Sequence, residues 1–250
     1  MKPLPFDKVN EFVNRNIVNF HQKRISSLES LRLEKLLKKN PYLFKAKNIQ
    51  TASQLMGGLL NAFLSSSEEK LFGDFLEDLA IFVAGETCGG YKSTAPGLDL
   101  EFENKGVHYI VSVKSGPSWG NSSQQSKLAE DLQKAVTRLK QSQHGKNVQS
   151  VLGICYGKTR TSYLRGYLKV VGQNFWYLIS ENENLYTEIV EPIGYRAKKH
   201  NDTFENERAR VENRFTRDFI DRFCDEDGSI DWVKLVEFNS GNYDLNKFLF

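Results

Sequence analysis

Cysteine and histidine are scarce in this 250-residue chain, and neither is arranged to hold a metal. The three cysteines, Cys88, Cys155 and Cys224, are odd in number, far apart and never in a CxxC pair. That argues against a disulfide framework or a cysteine zinc site and suits a reducing compartment. The four histidines, His21, His108, His144 and His200, are equally dispersed, with no HExxH or comparable pairing. No apolar run approaches the ~20 residues needed to span a bilayer. The first residues carry Lys2, Asp7 and Lys8 where a secretory leader would be apolar. Internal repeats and low-complexity tracts are missing too. These absences predict a cytoplasmic protein without a membrane partner.

What is present suits a globular enzyme or binding protein. Hydrophobic residues make up 40% and charged residues 26%, enough for a real core. The net charge of +3 is small, but it is unevenly spread. Residues 1–48 hold eleven basic and four acidic side chains, a local +7, against −4 over the remainder. A basic arm on a mildly acidic body suits a polyanion. The same charges would also suit a solvated helix face.

Hydrophobic spacing predicts helices over 7–39, 50–64 and 68–84, with Asn40-Pro41 as a stop and Ser65–Ser67 as punctuation. Gly85–Gly97 reads as a loop. Residues 98–115 read as a β-hairpin: Leu98, Leu100 and Phe102 alternate with Asp99, Glu101 and Glu103, and Asn104-Lys105-Gly106 supplies the turn. A polar loop, Ser115–Ser123, leads to a helix over 123–141. Strands follow at 149–155 and, as YLRGYLKVV and FWYLIS, within 163–180. A charged helix over 203–224 precedes an acidic, aromatic tail. This order predicts an α/β fold: a mixed β-sheet core flanked by helices, with an N-terminal helical region.

The chemically informative segment is PGLDLEFENKGVHYIVSVKSG, residues 96–116. It puts an acid on one strand and a lysine on its partner, 15 residues later. A carboxylate holds a hard divalent cation through oxygen. The cation polarises a phosphate and lowers the pKa of a bound water. A neighbouring ammonium orients that water or offsets charge at the transition state.

These residues resemble the PD-(D/E)xK nuclease superfamily, which contains most type II restriction endonucleases. The likeness falls on Pro96–Asp99, on Ser112-Val113-Lys114, and on Glu77 in the preceding helix. It implies a restriction-endonuclease-like fold and Mg²⁺-dependent hydrolysis of double-stranded DNA at a short palindromic site. It also implies a homodimer, since protein symmetry mirrors site symmetry. Asp99, Lys114, Ser112 and Glu77 become the catalytic candidates. Asp99, Glu77, Asp131 and the carbonyl of Val113 become the metal-ligand candidates. One departure stands out: Ser112 occupies the place of the second acid. Asp131, Glu130, Glu77 and Glu101 are the carboxylates available to replace it. Asp131 is the favoured member of the following helix because it flanks the apolar stripe.

Trp119, Asn121, Ser122, Lys158 and Arg160 are the candidate DNA contacts, with helix capping as the rival role for Ser122 or Ser123. Gly153–Thr159 resembles a P-loop but is one residue short between its glycines and lacks a following helix. The chain divides on this reading into a basic helical region, 1–65, serving as DNA clasp or dimer arm, and a nuclease core, 66–250. A structure-specific repair nuclease and a non-catalytic DNA-binding module on the same scaffold remain alternatives.

Overall fold

A computed structural model gives the fold; it describes residues 1–142 and 147–249, and His144 lies outside them. The chain forms two compact units, each assembled from two segments. One comprises Met1–Phe20 and Leu71–Ala197, the other His21–Lys70 and Lys198–Phe250.

The first unit is built on a six-stranded mixed sheet. Its strands are β1 (Tyr91–Lys92), β2 (Leu100–Asn104), β3 (Val107–Lys114), β4 (Asn147–Ile154), β5 (Ser162–Leu164) and β6 (Tyr167–Val171), in the order β1-β2-β3-β4-β6-β5. β2 and β3 pair antiparallel through Lys105 and Gly106, both at positive φ, as a two-residue hairpin turn requires. β3 and β4 run parallel, joined by the long helix that covers one face of the sheet, Ser122–Ser142. Period-two alternation splits β3 between two cores. Val111 and Val113 pack with Val83, Leu79 and Val13, whereas Ile110 packs with Leu128, Leu132 and Leu152. Helices therefore cover both faces of the sheet.

Numbered along the chain, the helices are α1 (Phe6–Glu29), α2 (Leu33–Leu36), α3 (Pro41–Ala46), α4 (Ala52–Cys88), α5 (Ser122–Ser142), α6 (Gln173–Ser180), α7 (Leu185–Glu188), α8 (Val190–Ile193), α9 (Ala197–Phe223), α10 (Trp232–Ser240) and α11 (Asn246–Leu249). The second unit is all helical. Its core joins Leu28, Leu36, Leu55, Met56, Leu60, Phe215, Phe219 and Leu235. The expected α/β class, mixed sheet and N-terminal helical region are all present. Among the described residues, no helix is long and apolar enough to cross a membrane.

Five local expectations are corrected. Residues 50–84 form one helix, not two: α4 runs unbroken for 37 residues through Ser65–Ser67. Ser66 Oγ bonds back to the Ala62 carbonyl at 3.1 Å, so the serine is satisfied inside the helix. The residue 65/66 boundary thus falls within a helix. The expected loop from Gly85 starts only at Gly89, whose φ of +69° ends α4. Asn40-Pro41 starts a helix instead of stopping one: Asn40 Oδ1 caps the Leu43 amide and Pro41 takes the first helical position. FWYLIS is helical (α6), not a strand; Phe175, Trp176 and Ile179 are buried at helical spacing. YLRGYLKVV is itself a hairpin, turning at Arg165 and Gly166.

Candidate active site

Asp99 leads into β2 and is tied to β3 before the strand proper begins. Its amide donates to the Val111 carbonyl at 2.9 Å, which extends the ladder by one rung. Its side chain accepts two hydrogen bonds on a single oxygen, Oδ2, which also forms an ion pair with the Lys114 ammonium. The Val113 amide lies at 2.6 Å, Ser112 Oγ at 3.1 Å and Lys114 Nζ at 3.5 Å. Oδ1 has no hydrogen-bond partner among the described residues. Lys114 Nζ also donates to the Val113 carbonyl at 2.8 Å. The Asp99 and Lys114 side chains are 20% and 30% exposed, so solvent and ligands can reach both.

Glu77 comes from α4. Gly73, one turn earlier, packs against Ser115. Burial first, and then the negative charge of Asp99, push the Glu77 carboxyl above the ordinary range. Hydrogen bonding and charge from Lys92 on β1, and the charge of Lys114, pull the other way. Lys92 Nζ lies 3.3 Å from Glu77 Oε1. Cys155, at the end of β4, is buried; that burial, reinforced by Glu77, raises its thiol further. The structure thus groups Asp99, Glu77, Ser112, Val113 and Lys114 in one place.

Among the described residues no three His, Cys, Asp or Glu side chains converge on one metal position. The donors at hand are the carboxylates of Asp99 and Glu77 and the Val113 carbonyl. They are all hard oxygens, and the two acids repel each other, a cost that a divalent cation relieves. Such a set fits Mg²⁺.

The other carboxylates are differently engaged. Asp131 is ion-paired to Lys127 at 2.8 Å and lies against Gly97, where a Cβ would sit 3.1 Å from Asp131 Oδ2. Glu130 is exposed. Glu101 accepts from Ser93 Oγ at 2.6 Å and Tyr91 at 3.2 Å, and faces the buried His108 at 3.0 Å.

Of the expected DNA contacts, Lys158 and Arg160 are exposed on the loop after β4. That loop is tethered at the same sheet end as Lys114: Cys155 N donates to the Lys114 carbonyl at 2.9 Å and Tyr156 N to the Ser115 carbonyl at 3.0 Å. It runs directly into β5, so the P-loop likeness of Gly153–Thr159 is not realised. Gly153 serves packing: a Cβ there would strike the Phe175 ring. Trp119 is partly buried against the core under α5. The α5 cap is Asn121, not Ser122 or Ser123. Asn121 Oδ1 accepts from the Gln124 amide and Gln124 Oε1 from the Asn121 amide, each at 3.0 Å. Ser122 is the exposed first residue of that helix.

Sequence reading missed Lys92 and Tyr156. Lys92 belongs to a two-residue strand within an expected loop. Tyr156 is 51% exposed beside Gly116, whose missing side chain leaves room for its ring. Its one signal was an aromatic residue just past the end of a buried strand.

No curated protein matches the chain. The family model of type II restriction endonuclease EcoO109I matches residues 7–201, which include all of the sheet and every residue of the site just described. The resemblance read from Pro96–Asp99 and Ser112–Lys114 is thereby borne out, and the chain belongs to the type II restriction endonuclease EcoO109I family.

Proposed function

We propose that this protein is a Mg²⁺-dependent endonuclease that hydrolyses double-stranded DNA at a short palindromic site, acting as a homodimer in the cytoplasm. One observation carries the reading: Asp99 and Lys114 meet at 3.5 Å across the β2–β3 hairpin, within range of Glu77. Family membership adds the DNA substrate.

Asp99, Glu77 and the Val113 carbonyl would hold a divalent ion, which when bound would supply a Lewis acid and a water of lowered pKa. The chain's own residues do the positioning. The Val113 amide and Ser112 hydroxyl fix Asp99 through Oδ2 and leave Oδ1 without a hydrogen-bond partner among the described residues. Lys114 presents an ammonium that orients the attacking water in line with the phosphorus and offsets charge on the phosphoryl oxygens. Glu77 is the carboxylate we assign in place of the second acid, because it is half-buried and lies close enough to Asp99 and Lys114 to feel both charges. Ser112 then serves as a support for Asp99. Lys158, Arg160, Asn121, Ser122 and Trp119 are assigned to the DNA surface. The basic residues of 1–65 are assigned to clasping the backbone or to the dimer.

The test is incubation of long duplex DNA with Mg²⁺, comparing the parent with Asp99→Ala and Lys114→Ala. Discrete fragments from the parent and none from either variant are expected. Intact DNA in every lane, with binding retained, would instead make the protein a binding module. Cutting only at ends or branches would make it a repair nuclease.

A further inference from the structure

We propose that Lys92 is an exchangeable counter-ion of this site: it neutralises Glu77 in the metal-free enzyme and is displaced when the divalent cation enters. The inference rests on the assignment of Glu77 as a ligand. The two lysines near the acids are held very differently. Lys114 is fixed by two contacts, to the Val113 carbonyl and to Asp99. Lys92 makes a single one among the described residues, at 3.3 Å to Glu77 Oε1, and its side chain is 65% exposed. It projects from a two-residue strand at the edge of the sheet, so little packing opposes its departure.

Glu77 in turn has Lys92 as its one hydrogen-bond partner among the described residues. Half-buried and repelled by Asp99, its carboxylate favours a cation beside it. Lys92 is the cation that hydrogen-bonds it, with the Lys114 charge farther off, and a divalent ion meets the need better. Both together at the same oxygen would repel each other. Displacement frees an ammonium at the rim of the site, where an incoming phosphate finds it.

Calorimetric titration of the metal-free, full-length protein with Mn²⁺, without DNA, tests this on the parent, Lys92→Gln and Lys92→Arg. Lys92→Gln is expected to bind Mn²⁺ roughly two- to fivefold tighter, as for one solvent-screened pair. Lys92→Arg, which keeps the charge, is expected to stay with the parent. Unchanged or weaker affinity in Lys92→Gln, or equal tightening in Lys92→Arg, overturns the proposal, as does a lack of Mn²⁺ uptake by parent and Lys92→Gln alike. Cleavage of duplex DNA by the parent, run alongside, reports on the nuclease reading separately. Cleavage with an unmoved Mn²⁺ affinity in Lys92→Gln removes the role of Lys92 and leaves the nuclease. Tightened affinity without any cleavage does the reverse.

Discussion

The Asp99 carboxylate accepts a 2.6 Å hydrogen bond from the amide of Val113, the residue between Ser112 and Lys114. This link uses the backbone of β3, so it survives any choice of side chain at position 112. It also has a direction. With the Val113 and Ser112 hydrogen bonds and the Lys114 ion pair all on Oδ2, the carboxylate is preset with Oδ1 left without a hydrogen-bond partner among the described residues. Preset geometry of this kind costs no reorganisation when a cation and a phosphate arrive.

Asp99→Asn separates the support from the chemistry. An amide oxygen can still accept from the Val113 N–H, so the hairpin should hold and thermal stability should stay close to the parent's. The Oδ1 position, however, becomes an uncharged donor in place of an anionic oxygen. Single-turnover cleavage in Mg²⁺ should fall by at least about a hundredfold, in keeping with the several kcal/mol a bound metal contributes. An Asp99→Asn protein that cuts at the parental rate would remove Asp99 from the reaction.

Ser112 is 1% exposed and spends its hydroxyl on Asp99. Ser112→Ala should cost about 1.5–3 kcal/mol in denaturant unfolding, the range for a hydrogen bond to a charged group. Ser112→Thr should recover part of that. Cleavage should slow only a few-fold, since the Val113 amide still pins Asp99. If Ser112→Ala is instead as dead as Asp99→Asn, the serine does more than support.

The hairpin was legible because its signals are local. Strict alternation and Asn104-Lys105-Gly106 specify two strands and their turn without reference to the rest of the chain, and with them the acid–lysine pair. What was not legible depended on tertiary context. FWYLIS is apolar enough to suit either a strand or a helix, and only Phe175 lying over Gly153 decides between them. Ser65–Ser67 punctuates many sequences, yet here back-bonding keeps α4 whole. Glu77 was visible as an acid in a helix, but its facing Asp99 was not. Lys92 was hidden for a plainer reason, since a two-residue strand has no period to detect.

Lys158 and Arg160 share an exposed loop, but their side chains suit different tasks. A lysine is a point charge fitted to a phosphate; an arginine fork matches the edge of a guanine. Lys158→Ala should weaken binding to all duplexes alike and reduce the salt slope by about one. Arg160→Ala should chiefly narrow the gap between the preferred site and other sequences, by about 1–3 kcal/mol. Filter binding across a salt series, with Ca²⁺ in place of Mg²⁺, reads both quantities. Identical behaviour of the two variants would refute this division of labour.

In the helical unit, His21 and His200 stack with ring centroids 4.5 Å apart and planes within 9°. Burial, then the charges of His200 and Arg24, lower His21 from 6.5 to about 4. Arg24 lies 3.3 Å from His21 Nδ1 and is itself paired with Glu68 at 2.7 Å. Folded His21 therefore stays neutral while the unfolded chain's histidine takes up its proton from pH 6.5 downward. Between pH 6.5 and about 4 the unfolded state binds more protons, so His21 makes stability fall as pH falls. Its contribution is intact above that window and levels off below it. His21→Phe keeps an aromatic ring on His200 but cannot titrate. Melting temperatures taken from neutral pH down to about pH 4 should fall more steeply in the parent than in His21→Phe. Parallel curves would show that the buried histidine pair carries no acid sensitivity.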